Sequence, residues 1–254
     1  MDTNKQIKEN VKQHYGEIAR SGASCCSTGE TSCCGPSCDE ITNLSHGYDL
    51  KELAELPEGA DLGLGCGNPL SLVPIQKGWK VLDLGSGAGI DVFMASKRVG
   101  ESGHVTGLDM TDEMLAKAQE NAKAGGFKNV SFVKGEIETM PFTDNTFDLV
   151  ISNCVINLVP DKAQAYREIR RVLKPGGKFA IADMAIRGDM PADVRKSAEA
   201  WAGCVAGALD LDKYLAMIRE VGFADVGTNF VNEYDYGRSE EFALLSVGLV
   251  GTKS

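Results

Sequence analysis

The sequence has no apolar run near the roughly 18 residues that a membrane-spanning helix needs, which excludes that class of span. It also lacks a basic stripe with interleaved aromatics. Lys and Arg number 26 against 36 Asp and Glu, for a net charge of −10. Phosphate neutralisation needs clustered cations, so a nucleic-acid partner is disfavoured. Histidine is scarce: His14, His46 and His104 form no constellation, and His104, opening a strand, reads as structural. The opening residues, MDTNKQIKENVKQHYGEIAR, lack the apolar core of a signal peptide. A cytoplasmic setting is therefore expected, where eight cysteines point to thiol chemistry or metal binding ahead of a disulfide framework.

What is present fits a globular chain of 254 residues, 43% hydrophobic and 24% charged, long enough to bury a sizeable core. From Trp79 onward, strand and helix patterns alternate. Strands are expected at 81–84, 104–109, 130–134, 147–152 and 178–183, with helices at 90–99, 112–124, 162–173 and 213–221. Thr111 is placed to cap the second of these helices, and LKPGG at 173–177 reads as a helix stop and turn. Segments 226–234 and 244–252 read as a terminal antiparallel pair. The expected fold is α/β: a doubly wound, mostly parallel, Rossmann-like sheet of seven strands, with ligands at the carboxyl ends of the strands. Ahead of it stand a polar helix over 4–19, with Ile7, Val11, Tyr15 and Ile18 on one stripe, and a Cys-rich loop over 21–39. Residues 184–209 break the rhythm and read as a substrate cap. The chain thus divides into 1–75, a core at 76–185, and 186–254.

The core is organised around VLDLGSGAGID, residues 81–91. Gly85, Gly87 and Gly89 follow a strand that ends in an acid, Asp83, and precede a helix. Glycines at such a turn let the backbone approach a ligand closely. HVTGLDM places Asp109 at the end of the second strand, where an acid suits paired ribose hydroxyls. The glycine spacing differs from the G-x-G-x-x-G of dinucleotide sites, and nearby carboxylates suit a cationic ligand better than a pyrophosphate.

The cysteines form a second pattern. Cys25, Cys26, Cys33, Cys34 and Cys38 crowd the early loop, while Cys66, Cys154 and Cys204 are dispersed. Cys154 can be read as a small buried residue beside the sheet. Cys66 and Cys204 sit among small residues in irregular backbone, which leaves a thiol accessible. Cys34 and Cys38 have metal-ligand spacing, but no second pair follows to complete a four-thiolate zinc site. Three thiolates suit a soft, thiophilic trivalent metalloid.

Taken together, GLGCGNP, VLDLGSGAGID, GEIE, SNCVINLVPDK and AGCVAGAL resemble, in that order, the arsenite S-adenosylmethionine methyltransferases. VLDLGSGAGID by itself resembles motif I of class I methyltransferases. The resemblance implies methyl transfer from S-adenosylmethionine to trivalent arsenic held by Cys154, Cys204 and Cys66. Arsenite, or its thiol conjugate, is the implied substrate. The family's upstream cysteine corresponds best to Cys38 by its distance from Cys66, with Cys33 and Cys34 close by, and a Cys38–Cys66 disulfide is the implied way to return electrons. Glutathione or thioredoxin is the implied reductant that resets it. Asp83, Gly85, Ser86 and Gly87 are implied near the methionine part, Asp109 at the ribose, and Met110 and Ile137 against the adenine. Glu138 is implied at the adenine amine and Asn153 at the methionine amine. Met110 and Ile137 also read as ordinary core packing. Longer family members carry a further C-terminal domain. Two other readings stay open: a small organic acceptor with Asp183 as base, and thiol-based sequestration without catalysis.

Overall fold

The computed structural model describes residues 3–21, 47–197, 200–201, 203–234 and 242–254. One sheet of seven strands organises them, in the order β3-β2-β1-β4-β5-β7-β6. The strands are β1 (Lys80–Leu84), β2 (His104–Asp109), β3 (Val130–Lys134), β4 (Phe147–Asn153), β5 (Leu173–Gly188), β6 (Phe223–Glu233) and β7 (Phe242–Lys253). Strands β1 to β5 run parallel, and β7 pairs antiparallel with both β5 and β6. The doubly wound, mostly parallel, seven-stranded sheet expected from the sequence is the one observed.

The period of two along each strand sorts side chains to opposite faces. Leu82, Leu84, Leu108 and Val150 join one core with Tyr166, Ile169, Tyr214 and Ile218 of helices α5 (Lys162–Val172) and α7 (Leu211–Glu220). Val81, Val105, Leu149 and Ile151 join the other with Val92, Phe93 and Val99 of α3 (Ile90–Val99). Helix α4 (Asp112–Ala124) packs near β2 and β3. Thr111 is its N-cap residue, as expected, with extended backbone, although its side chain makes no capping bond. Asp109 takes that part: its Oδ1 accepts the Thr111 N–H at 2.8 Å.

LKPGG lies inside the long strand β5 as an irregularity. The β4–β5 register jumps from Phe147 opposite Leu173 to Leu149 opposite Lys178, and Gly176 has φ +76. Within the 184–209 stretch a short helix α6 (Ala192–Lys196) ends at Ser197, whose backbone is extended with ψ 123. Helix α1 (Thr3–Ser21) packs on α4, and a short helix α2 (Leu50–Ala54) follows. The five cysteines of the early loop, Cys38 included, lie outside the described residues. No described helix is long and apolar enough to cross a membrane.

Candidate active site

The strand order reverses between β1 and β4, and the crevice outside their carboxyl ends is where such sheets bind ligands. A cleft with about 1110 Å³ of empty space, mouth included, opens there. Its walls include Asp83, Gly85, Ser86, Gly87, Asp109, Met110, Ile137, Glu138, Asn153 and Cys154.

The glycine turn is fixed by β2: the N–H groups of Gly85 and Ser86 donate to the Leu108 carbonyl at 2.8 and 3.0 Å. Gly85 has φ +66, and a Cβ there would lie 2.5 Å from the Val155 side chain, so only glycine fits. Asp109 Oδ2 accepts the Gly87 N–H at 3.0 Å, which ties the two cofactor stretches together and still leaves lone pairs facing the cleft. Ser86 Oγ is buried with no hydrogen-bond partner among the described residues.

Three carboxyl groups dominate the cleft electrostatically. Burial pushes Asp83 well up, and the neighbouring charges of Asp91 and Asp109 push it further. Burial raises Asp91 to about 6, opposed by hydrogen bonds from Tyr48 and Asn153. Asp109 is also raised by burial, against the backbone N–H groups it accepts. Three buried acids on one wall call for a cationic ligand and repel a phosphate. S-adenosylmethionine, with its sulfonium and ammonium groups and paired ribose hydroxyls, fits this donor set.

Helix α1 closes the cleft from outside, with Lys8, Val11 and Tyr15 on its inner side. Lys8 Nζ bonds to Glu136 at 2.7 Å and to Glu138 at 3.0 Å. Glu138 therefore already has a cationic partner. Sequence reasoning did not assign Lys8, Tyr48 or Asp91. Asp91 sits in the first turn of α3, inside the quoted motif, and its depth in the cleft was the missing information. Lys8 belongs to a separate segment that only the fold brings to the cleft, and Tyr48 to another that bonds to Asp91 and Asn153 of its wall.

The other dispersed cysteines converge beside this cleft. Cys66, Cys154 and Cys204 belong to one buried cluster with Val11, Leu158, Met184 and Ile186. Cys66 and Cys154 are joined as a disulfide, with Cα atoms 5.4 Å apart and a sequence separation of 88. The end of β4 carries Cys154 to the 63–69 segment, whereas the implied Cys38–Cys66 pair involves a cysteine outside the described residues. Cys204 Sγ donates to the Cys154 carbonyl at 2.8 Å. Cys154 and Cys204 have φ +58 and +61, left-handed backbone that costs a non-glycine residue on the order of 1 kcal/mol. Among the described residues, no three His, Cys, Asp or Glu side chains are gathered as a metal site.

Asp183, the candidate base for an organic acceptor, is fully buried and does not line the cleft. Its oxygens accept the Met184 N–H at 2.9 Å and the Tyr214 hydroxyl at 3.3 Å. His104 bonds to Ser131 at 2.9 Å between β2 and β3, a structural place.

A family model described as a methyltransferase domain matches residues 75–222. The arsenite methyltransferase of Halobacterium salinarum is 40% identical over 98% of this chain and 67% of its own length. This chain belongs to the arsenite methyltransferase family. The human arsenite methyltransferase is 34% identical over 86% of this chain and 58% of its own. An arsenic(III) S-adenosylmethionine methyltransferase from Chlamydomonas reinhardtii superimposes with a TM-score of 0.68 at 35% identity, over 80% of this chain and 70% of that one. The chain thus spans about three fifths to two thirds of its curated arsenite methyltransferase relatives. Family membership makes the sheet a class I methyltransferase fold and S-adenosylmethionine the methyl donor.

Proposed function

We propose that this chain methylates trivalent arsenic bound by its own cysteines. The observation that supports it most directly is the gathering of Cys66, Cys154 and Cys204 in one buried cluster, with Cys154 also lining the cofactor cleft. Cys154, Cys204 and Cys66 are the arsenic ligands in this reading, and the chemistry starts from the reduced protein. Two electrons and two protons from a thiol reductant, glutathione or thioredoxin, open the Cys66–Cys154 disulfide. Each cysteine thiol then displaces one hydroxide of arsenite, its proton leaving with the hydroxide as water.

S-adenosylmethionine supplies an electrophilic methyl group on its sulfonium. Asp109 holds the ribose in this reading, the acids Asp83 and Asp91 hold the cationic end, and Met110 and Ile137 flank the adenine. Arsenic's lone pair is the nucleophile, so no proton leaves in the transfer and no general base is required. The protein's contribution is then alignment and exclusion of water. Methyl transfer leaves arsenic oxidised by two electrons, and a cysteine pair returns them by closing a disulfide. Cys38 remains the family's upstream cysteine in this scheme. A cytoplasmic, thiol-rich setting suits the cycle.

The test incubates reduced protein with methyl-labelled S-adenosylmethionine, arsenite and glutathione, then separates the arsenic species. Arsenite-dependent label in methylated arsenicals is the expected result. Cofactor binding without labelled arsenic would overturn the reading.

A further inference from the structure

Asn153, the last residue of β4, lines the cleft and bonds through both ends of its amide to protein groups. Its Oδ1 accepts the Cys66 N–H at 2.9 Å. Because a backbone N–H can only donate, this bond fixes which end of the amide is oxygen. Its Nδ2 donates to the Gly67 carbonyl at 2.8 Å and to the Tyr48 hydroxyl oxygen at 2.9 Å, with Asp91 Oδ2 at 3.3 Å. Tyr48 in turn donates to Asp91 Oδ1 at 2.7 Å.

An independent observation concerns Gly65. A Cβ there would lie 2.7 Å from Asn153 Nδ2, so the glycine before Cys66 makes room for this amide. The other side of the Cys66 peptide is held too, since Ser246 Oγ of β7 donates to the Cys66 carbonyl at 2.8 Å. The residue after Asn153 is Cys154. One side chain therefore spans the two paired thiols and an acid on the cofactor wall.

We propose that Asn153 is a positioning residue for Cys66, which through Tyr48 and Asp91 couples arsenite capture to occupancy of the cofactor cleft. This rests on the arsenic-binding reading above. A cation against Asp91 holds its carboxylate toward the Tyr48 hydroxyl, and Tyr48 offers Asn153 an acceptor that keeps the Cys66 segment in place. The two Asn153 amide donors go to Tyr48 and Gly67, and its part in the reaction runs through the thiol segment.

The experiment titrates reduced full-length protein with arsenite by calorimetry, with and without saturating S-adenosylhomocysteine. In the wild type, the ligand should tighten arsenite binding by about threefold to tenfold. Asn153→Ala should weaken arsenite binding by about tenfold or more, abolish the coupling, and change S-adenosylhomocysteine affinity by less than about threefold. Tyr48→Phe, which removes one oxygen, should keep the arsenite affinity of the unliganded protein and lose the coupling. The inference is overturned if Asn153→Ala loses S-adenosylhomocysteine affinity while binding arsenite normally, or if Tyr48→Phe retains full coupling. Wild-type protein that binds no arsenite would instead sink the functional reading, and this inference with it.

Discussion

The cofactor wall and the cysteine cluster sit side by side and are built in opposite ways. The wall comes from regular elements: β1, the glycine turn, α3 and the end of β2. Its internal bond from Gly85 to Leu108 closes a separation of 23 residues. The cluster is made of irregular backbone, with two cysteines in left-handed conformation and separations of 88 and 50 residues between its members. A wall made of regular, locally specified structure is rigid before ligand arrives. A cluster made of distant loop residues depends on the whole sheet, and its chemistry changes with its redox state.

This contrast is broken most sharply by deleting thiols. Cys154→Ala or Cys204→Ala should lower arsenite methylation by about a hundredfold or more, while S-adenosylhomocysteine affinity stays within about threefold. Asp109→Ala should do the reverse, weakening that ligand by about tenfold or more and leaving arsenite binding intact. Labelled-methyl assays and calorimetry on the same preparations read both. If either kind of variant loses both properties while folded, the two regions are not separable.

A smaller effect concerns charge on the wall. Asp91 is raised to about 6, above its unfolded value, so the unliganded protein binds a proton more readily than the unfolded chain does. The stability that this proton confers is complete below about pH 4 and is lost as pH rises through about 6. A cationic ligand favours the ionised form. Its affinity should therefore rise by about tenfold between pH 5 and 7, and Asp91→Asn should flatten that slope. Calorimetry at several pH values checks it, and an unchanged slope in the variant would place the titration on another group. Asp183, raised to about 7 by burial, adds to the same loss of stability without facing the ligand.

The smallest effect is expected at the outer strap. Lys8 is partly exposed, and its bonds to Glu136 and Glu138 compete with water and salt. Lys8→Ala should weaken S-adenosylhomocysteine by no more than about fivefold, with the loss shrinking at high salt. A loss as large as that of Asp109→Ala would make α1 part of the wall.

That Asp83, the glycine turn and Asp109 line one cleft was readable because a strand end, a turn and an acid at fixed spacing follow from local backbone geometry. The seven strands were readable for the same reason, as burial on both faces writes itself into short apolar runs. The helix stop at Leu173 was readable too, but the reach of β5 back through LKPGG was not, because it depends on pairing with β4. Local order along the chain thus determined the sheet, the cofactor turn and which cysteines stood apart. Only the tertiary structure decided that Cys66 meets Cys154, that Lys8 reaches the cleft, and that Tyr48 and Asn153 bond to each other and to the Cys66 and Asp91 segments. Those outcomes depend on contacts between segments tens of residues apart, and such contacts exist only once the sheet has assembled.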